Sequence, residues 1–256
     1  MIEFFKTIVY IPLYNVFVLL LNIPYINAAI AVILFTILIR LVLYPLSKKM
    51  IISQIRLQQI QPEIKRIQET YKSDKQEQAK HMMALYKDKK INPLSGFVVL
   101  LIQIPIIISL YHIFASGALQ QINQSLLYSF VPHPGAFDHT FFFGLIELTA
   151  PSIVLALTAG ISQYLVGWLQ KRNLAFGSHT PGKEGERNFQ KDFSKAMSIQ
   201  MVYVFPVFVF IISMTLPSVL GLYWTVSNLC LFGQELLLLP HRKAAREAKV
   251  TTATAK

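Results

Sequence analysis

The sequence predicts an all-α polytopic membrane protein with five transmembrane helices, an N-terminal interfacial helix and a cytoplasmic helical hairpin. Three observations predict it. Hydrophobic residues make up 54% of the chain and charged residues 14%, with a mean hydropathy of +0.47, a balance outside that of soluble globular domains. Five stretches, 28–46, 93–114, 148–169, 197–216 and 219–239, are long and apolar enough to cross a hydrocarbon core of about 30 Å, which takes roughly 20 helical residues. Charge is also sorted along the chain: of the 24 Lys and Arg, all but Lys6 and Arg40 lie in 48–90, in 171–195 or after Pro240, and 115–147 holds none. Because cytoplasmic loops are enriched in Lys and Arg, the basic segments belong inside, and the N-terminus and the 115–147 loop belong outside.

The elements follow in order. Residues 2–23 are apolar but interrupted by Pro12 and Asn15, which favours a helix lying in the outer interface over a sixth span. The first span, 28–46, carries Arg40. In the 48–91 segment, Ile60, Ile64, Ile67 and Tyr71 recur at intervals of four and three, an apolar seam on one helix face. "KSD" at 72–74 predicts a turn, and "QAKHMMALYK" resumes a helix. The two arms make an antiparallel hairpin that serves either as a solvated linker or as a surface for partners and lipid headgroups. Asn92 and Pro93 suit a helix start, and Pro105 and Pro206 predict kinks in the second and fourth spans. The fourth and fifth spans are separated only by "LPSV", so they pack as an antiparallel pair. A cytoplasmic loop at 170–195 and a basic tail at 240–256 complete the order. No β pattern or internal repeat is evident.

Topology accounts for most of the net charge of +11, so no DNA partner is implied. Contact of the basic loops with ribosomal RNA or anionic lipid stays open on electrostatic grounds. The opening "MIEFFKTIVY" has no basic n-region and no small-x-small site follows, so no removable signal is expected. The single cysteine, Cys230, sits in the last span as a packing residue. It excludes a disulfide framework and is far from any N-terminal lipidation position.

Arg40 is the main candidate. It lies eight residues before Lys48, so its Cα is about 12 Å inside the cytoplasmic boundary. A side chain snorkelling about 6 Å would leave its head below the surface unless water enters or the bilayer thins. A central arginine costs about 2.5–3.5 kcal/mol on insertion scales. Thr36 lies one turn away, Gln103 is mid-span, Thr158, Ser162 and Gln163 form a polar strip, and Trp224, Ser227 and Asn228 share a face by their spacing. Such residues either glue helices together or line a wet groove. No Asp or Glu lies deep in a span, since Glu147 and Glu235 are near ends. A cation without an internal counter-ion is prepared for an anionic guest. The candidate groove set is therefore Arg40, Thr36, Gln103, Gln163, Trp224 and Asn228.

Two motifs are set aside. "GSHTPGKE" at 177–184 has the spacing of a phosphate loop, but Glu184 stands where a Ser or Thr would hold magnesium, and no strand precedes it. The six histidines show no ligand spacing. No cofactor, metal or catalytic residue is expected, and the chain is not read as an enzyme.

The stretch "QPEIKRIQETYKSDKQEQAKHMMALYKDKKINPLSGFVVLLIQIPIIISLYHIF" resembles the cytoplasmic hairpin and second core helix of YidC-type membrane protein insertases, whose relatives include the mitochondrial Oxa and chloroplast Alb proteins. "LIRLVLYPLSKK" resembles their first core helix, "GLYWTVSNLCLFGQE" their last, and "IPLYN" the preceding interfacial helix. The resemblance implies a five-helix insertase core in the bacterial cytoplasmic (inner) membrane, with a groove closed to the outside and open to cytoplasm and lipid. It makes Arg40 the groove cation, Gln163 and Trp224 groove-lining residues, and 48–91 the element that first engages substrate. The implied partners are nascent membrane proteins, the ribosome, the Sec translocon and lipids. The sequence departs from the Gram-negative pattern of an extra N-terminal helix and large periplasmic domain, and from the lipoprotein cysteine of many Gram-positive members. Its basic tail is also short. The alternative from another class is a transporter of a small anionic solute. Five spans do not divide into equal inverted repeats, however, and no deep acid is present for ion coupling.

Overall fold

A computed structural model of the chain describes residues 2–92, 95–115, 122–133, 141–142, 144–175 and 199–240. The phosphate-loop-like 177–184, residues 176 and 185–195 of the expected 170–195 loop, parts of the 115–147 loop and the tail beyond Pro240 lie outside the described residues, whereas 170–175 are helical and continue the third long helix instead of opening a loop. The chain is mostly helical and forms two compact units. One falls within Met1–Val42, Ile102–Lys171 and Lys183–Phe232, the other within Leu43–Leu101, Arg172–Gly182 and Gly233–Lys256.

The first unit begins with α1 (Ile2–Phe5), a π turn (Lys6–Tyr10) and α2 (Ile11–Leu21). Pro12 therefore does not end the helical run. Proline has no N–H for the carbonyl four residues back, and its ring crowds that carbonyl. The wider π turn, closed by Ile11 N–H donating to Lys6 O, comes immediately before it. The same device recurs ahead of Pro206: a π turn (Gln200–Val204), closed by Phe205 N–H on Gln200 O, precedes α8 (Phe205–Thr215). Pro206 therefore lies in the first turn of α8 and not in mid-helix. Pro45 and Pro105, in contrast, lie inside α3 (Ala28–Gln59) and α6 (Ser95–Ala115).

Asn15 pins a neighbouring loop. Its Nδ2 donates to Ile11 O and Leu126 O at 2.8 Å, and its Oδ1 accepts from Tyr128 N–H at 2.7 Å. Tyr14 Oη accepts from Asn123 N–H, and Asn22 Nδ2 reaches Pro132 O. Polar atoms of α2 and of Asn22, which follows it, thus satisfy backbone groups of 123–132. Phe17, fully buried, stands edge-on to Phe35 of α3 and Phe114 of α6 at 5.8 and 5.3 Å, a favoured ring geometry.

Helix α3 opens on an Asn27 cap, whose Oδ1 accepts from Ile30 N–H at 2.9 Å. It runs for 32 residues, about 48 Å at 1.5 Å per residue, well past the Leu46 boundary expected from hydropathy. Polar side chains end an apolar run but do not end a helix. Helix α7 (Ile153–Ala175) and α9 (Ser218–Leu237) complete the long helices among the described residues. Among the described residues, two stretches qualify by length and composition to cross a membrane, 28–57 and 153–172, and the apolar 102–114 and 202–215 are shorter. α9 has the length but carries Ser227, Asn228, Gln234 and Glu235. Leu41, Val42, Ile161, Val207, Ile211 and Leu229 all stay exposed, an apolar surface in keeping with lipid contact.

A two-residue antiparallel ribbon, unforeseen from the sequence, pairs β1 (Phe141–Phe142) with β2 (Ile146–Glu147). Gly144 takes φ +71° in its turn, a conformation open to glycine. The segment after β2 caps α9: Val219 N–H donates to Leu148 O, Ser218 N–H to Ala150 O, and Ser218 Oγ to Glu147 O. A Cβ on Gly221 would meet Leu155 O at 3.1 Å, and one on Gly160 would meet Phe210 Cβ at 3.1 Å. These glycines let α9 and α8 approach α7 closely.

The second unit holds α4 (Gln61–Thr70) and α5 (Lys75–Asp88), joined by a turn that Asp74 closes by accepting from Gln76 and Glu77 N–H at 3.0 Å. The two helices run antiparallel. Tyr71 stacks on His81 at 4.3 Å, Gln78 Nε2 donates to Gln68 O, and Lys89 lies 3.7 Å from Glu63. Ile60, Ile64 and Ile91 form the seam, with Leu57, Met82, Leu85 and Tyr86 packed against it. Burial there raises the Tyr86 phenol above its ordinary pKa.

Candidate functional site

Arg40 is 8% exposed. Its guanidinium neither reaches along α3 toward a helix end nor finds a carboxylate among the described residues. It turns inward, into neutral oxygens. Nε donates to Ser227 Oγ at 2.8 Å, and Nη2 donates to the same Oγ and to Gln103 Oε1 at 3.2 Å. Gln103 Nε2 donates to Tyr223 Oη at 2.7 Å, which leaves the amide oxygen facing the cation. Three helices therefore converge on one charge: α3 supplies Arg40, α6 supplies Gln103, and α9 supplies Tyr223 and Ser227.

The remaining nitrogen, Nη1, has no hydrogen-bond partner among the described residues. It is also not one of the sealed unpaired side-chain atoms there, which are Ser109 Oγ and Ser213 Oγ. A permanent cation held by neutral dipoles retains a strong demand for negative charge, and the two Nη1 donors, which meet no acceptor among the described residues, can answer it.

The other expected site residues are placed differently. Thr36, fully buried, donates to Val32 O of its own helix at 2.7 Å. Asn228 Nδ2 donates to Ser162 Oγ at 3.1 Å, and Ser162 Oγ donates to Ala159 O. Thr158 and Thr225 approach to 3.1 Å, so these residues join α7 to α9. Trp224 packs with Ala159 and Val209, flanked by Ile107, Phe205 and Ile212. Gln163 is half-buried on α7.

The spacing of Trp224, Ser227 and Asn228 suggested one face, but the structure divides it. Neighbouring positions on a helix are about 100° apart, so Ser227 turns to Arg40 while Asn228 turns to α7. The informative pair was Tyr223 and Ser227, at i and i+4 on the stripe next to the one chosen. Among the described residues, no three His, Cys, Asp or Glu side chains converge as a metal site would require.

The model of one protein family, described as 60Kd inner membrane protein, matches residues 19–245. The chain belongs to that family. Relatives of the family named "Membrane protein insertase YidC", from Francisella tularensis subsp. novicida (strain U112), subsp. tularensis (strain WY96-3418) and subsp. holarctica (strain FTNF002-00 / FTA), are each 33% identical to it over 221 residues, which is 86% of this chain and 34% of the relative. The chain thus spans about a third of the length of the curated relatives it matches. The matched 19–245 segment includes Arg40, Gln103, Tyr223 and Ser227, so the whole site lies inside the family's region.

Proposed function

We propose that this chain is a membrane protein insertase. It receives the hydrophilic end of a nascent membrane protein in a polar groove around Arg40 and releases the apolar segment into the bilayer. The observation that carries this reading is the guanidinium itself, buried and, among the described residues, without a carboxylate partner and with no hydrogen bond from Nη1. The kinship with proteins named insertases supports it.

Moving a polar chain end through pure hydrocarbon strands its backbone and charged groups at several kcal/mol per group. A polar path part of the way across shortens that stretch, and an arginine favours ends that carry Asp or Glu. Burial of the substrate's own apolar segment in lipid then drives the step without a covalent intermediate.

In this proposal five helices span the bacterial inner membrane, with the N-terminus outside and the C-terminus in the cytoplasm. α2 lies in the outer interface. α4 and α5 form a cytoplasmic hairpin that meets nascent chains first, with the ribosome, Sec translocon and lipids as its other partners. The remaining expected groove residues, Gln163, Trp224, Asn228 and Thr36, act from the walls, holding helices in place around the cation. Site-specific crosslinking from position 40 to a stalled nascent single-span protein tests the reading. Adducts should concentrate on the polar residues ahead of the apolar segment. Crosslinks confined to lipid would overturn it.

A further inference from the structure

We infer that Ser227 and Gln103 determine what kind of anion Arg40 accepts: they occupy both forked edges of the guanidinium, so a guest meets Nη1 alone. This rests on the proposed insertase function and deepens it. A guanidinium grips a carboxylate in two-point fashion only through two adjacent nitrogens, either Nε with Nη2 or Nη1 with Nη2. Ser227 Oγ takes the first edge, at 2.8 Å from Nε and bonded also to Nη2. Gln103 Oε1, at 3.2 Å, takes the remaining Nη2 donor, which closes the second edge to a fork.

Tyr223 secures this arrangement as a positioning residue. Its Oη accepts from Gln103 Nε2 at 2.7 Å. A reversed amide would bring an NH2 group, which only donates, against the guanidinium N–H and leave that donor with no acceptor. Ser227 is fully buried and Tyr223 is 1% exposed, so neither side chain gives way without repacking. The site therefore recognises negative charge through single-point contact and does not select the planar shape of a carboxylate. That suits a path that must bind varied tails and let each one leave.

The test compares Arg with Lys in two backgrounds, with the full chain in proteoliposomes and insertion of an acidic-tailed single-span reporter read by protease protection. A lysine supplies a point charge and no fork. In the unaltered background Arg40→Lys should lower insertion by no more than about threefold, because no fork is in use there. In a Ser227→Ala background the freed edge should make the same change cost about tenfold. Gln103→Glu, which gives Arg40 a resident counter-ion and so does not threaten folding, should lower insertion of the acidic reporter by about tenfold and of its Asn-tailed counterpart by less.

An Arg40→Lys loss as deep as that of Arg40→Ala, or an Arg-to-Lys ratio equal in the two backgrounds, overturns the inference while leaving the insertase reading in place. Undiminished insertion by Arg40→Ala at normal abundance overturns the insertase reading itself.

Discussion

Two regions of this protein handle cations in opposite ways. In the α4–α5 pair, Lys80 lies 3.0 Å from Glu77 and Lys89 lies 3.7 Å from Glu63, with all four side chains at least 41% exposed. The apolar seam beneath them, Ile60, Ile64 and Ile91, is what holds the pair together. Around Arg40 the relation is reversed. The charge is inside, its partners are the neutral Ser227 and Gln103, and no carboxylate among the described residues offsets it. Exposed ion pairs contribute little because water already solvates both charges. A buried charge dominates its surroundings because little else screens it. Charge in the first region decorates a structure held by packing, whereas in the second the packing exists around a charge.

That contrast can be broken or sharpened experimentally, starting where the effect should be largest. Ile64→Ala removes buried volume from the seam and should cost about 2–4 kcal/mol, visible as faster amide hydrogen exchange throughout α4 and α5. Equal protection with and without the methyl groups would mean that the exposed pairs carry the region after all. Arg40→Ala should reduce insertion of an acidic-tailed reporter by about tenfold, equivalent to about 1.4 kcal/mol, with little effect on a reporter whose tail is neutral. Equal losses for both would show that the residue serves packing and not charge.

Asp74→Ala removes the side-chain cap on Gln76 and Glu77 N–H and should cost about 1 kcal/mol, seen as exchange confined to the first turn of α5. Glu77→Gln, which deletes the charge facing Lys80 and His81 at 3.0 and 3.5 Å, should shift stability by less than about 0.5 kcal/mol. A larger change measured by thermal melting would contradict the view that surface charge is decorative here.

Much of the architecture was legible beforehand, for identifiable reasons. Apolar runs and the four-residue spacing of Ile60 and Ile64 are local signals, so the helical content and that part of the seam could be read directly, whereas Ile91 completes the seam from the far arm and Tyr71 leaves it to stack on His81. Helix ends were less legible. α3 continues to Gln59 because Ser47, Lys48 and Lys49 change the solvent preference of the surface without opposing helical backbone. Pro12 and Pro206 looked like breaks because the spacing rule for proline assumes an α-helical ladder, and both positions follow a π turn instead. Asn15 read as an interruption because its partners, the backbone of Leu126 and Tyr128, are more than a hundred residues away.

The candidate site divides along the same line. Composition and hydropathy alone singled out Arg40 as a cation placed among apolar neighbours, and the lack of a deep Asp or Glu followed from the same inspection. Periodicity placed polar residues on α9 but could not choose between the adjacent stripes 223/227 and 224/228. Only the tertiary structure decided that Ser227 and Tyr223 belong with Arg40 and Gln103, while Trp224 and Asn228 brace α7. The physical reason is range. Hydropathy and helix period are properties of neighbours along the chain, whereas the hydrogen bond from Arg40 to Ser227 joins residues 187 positions apart and depends on how three helices rotate about their axes as they pack.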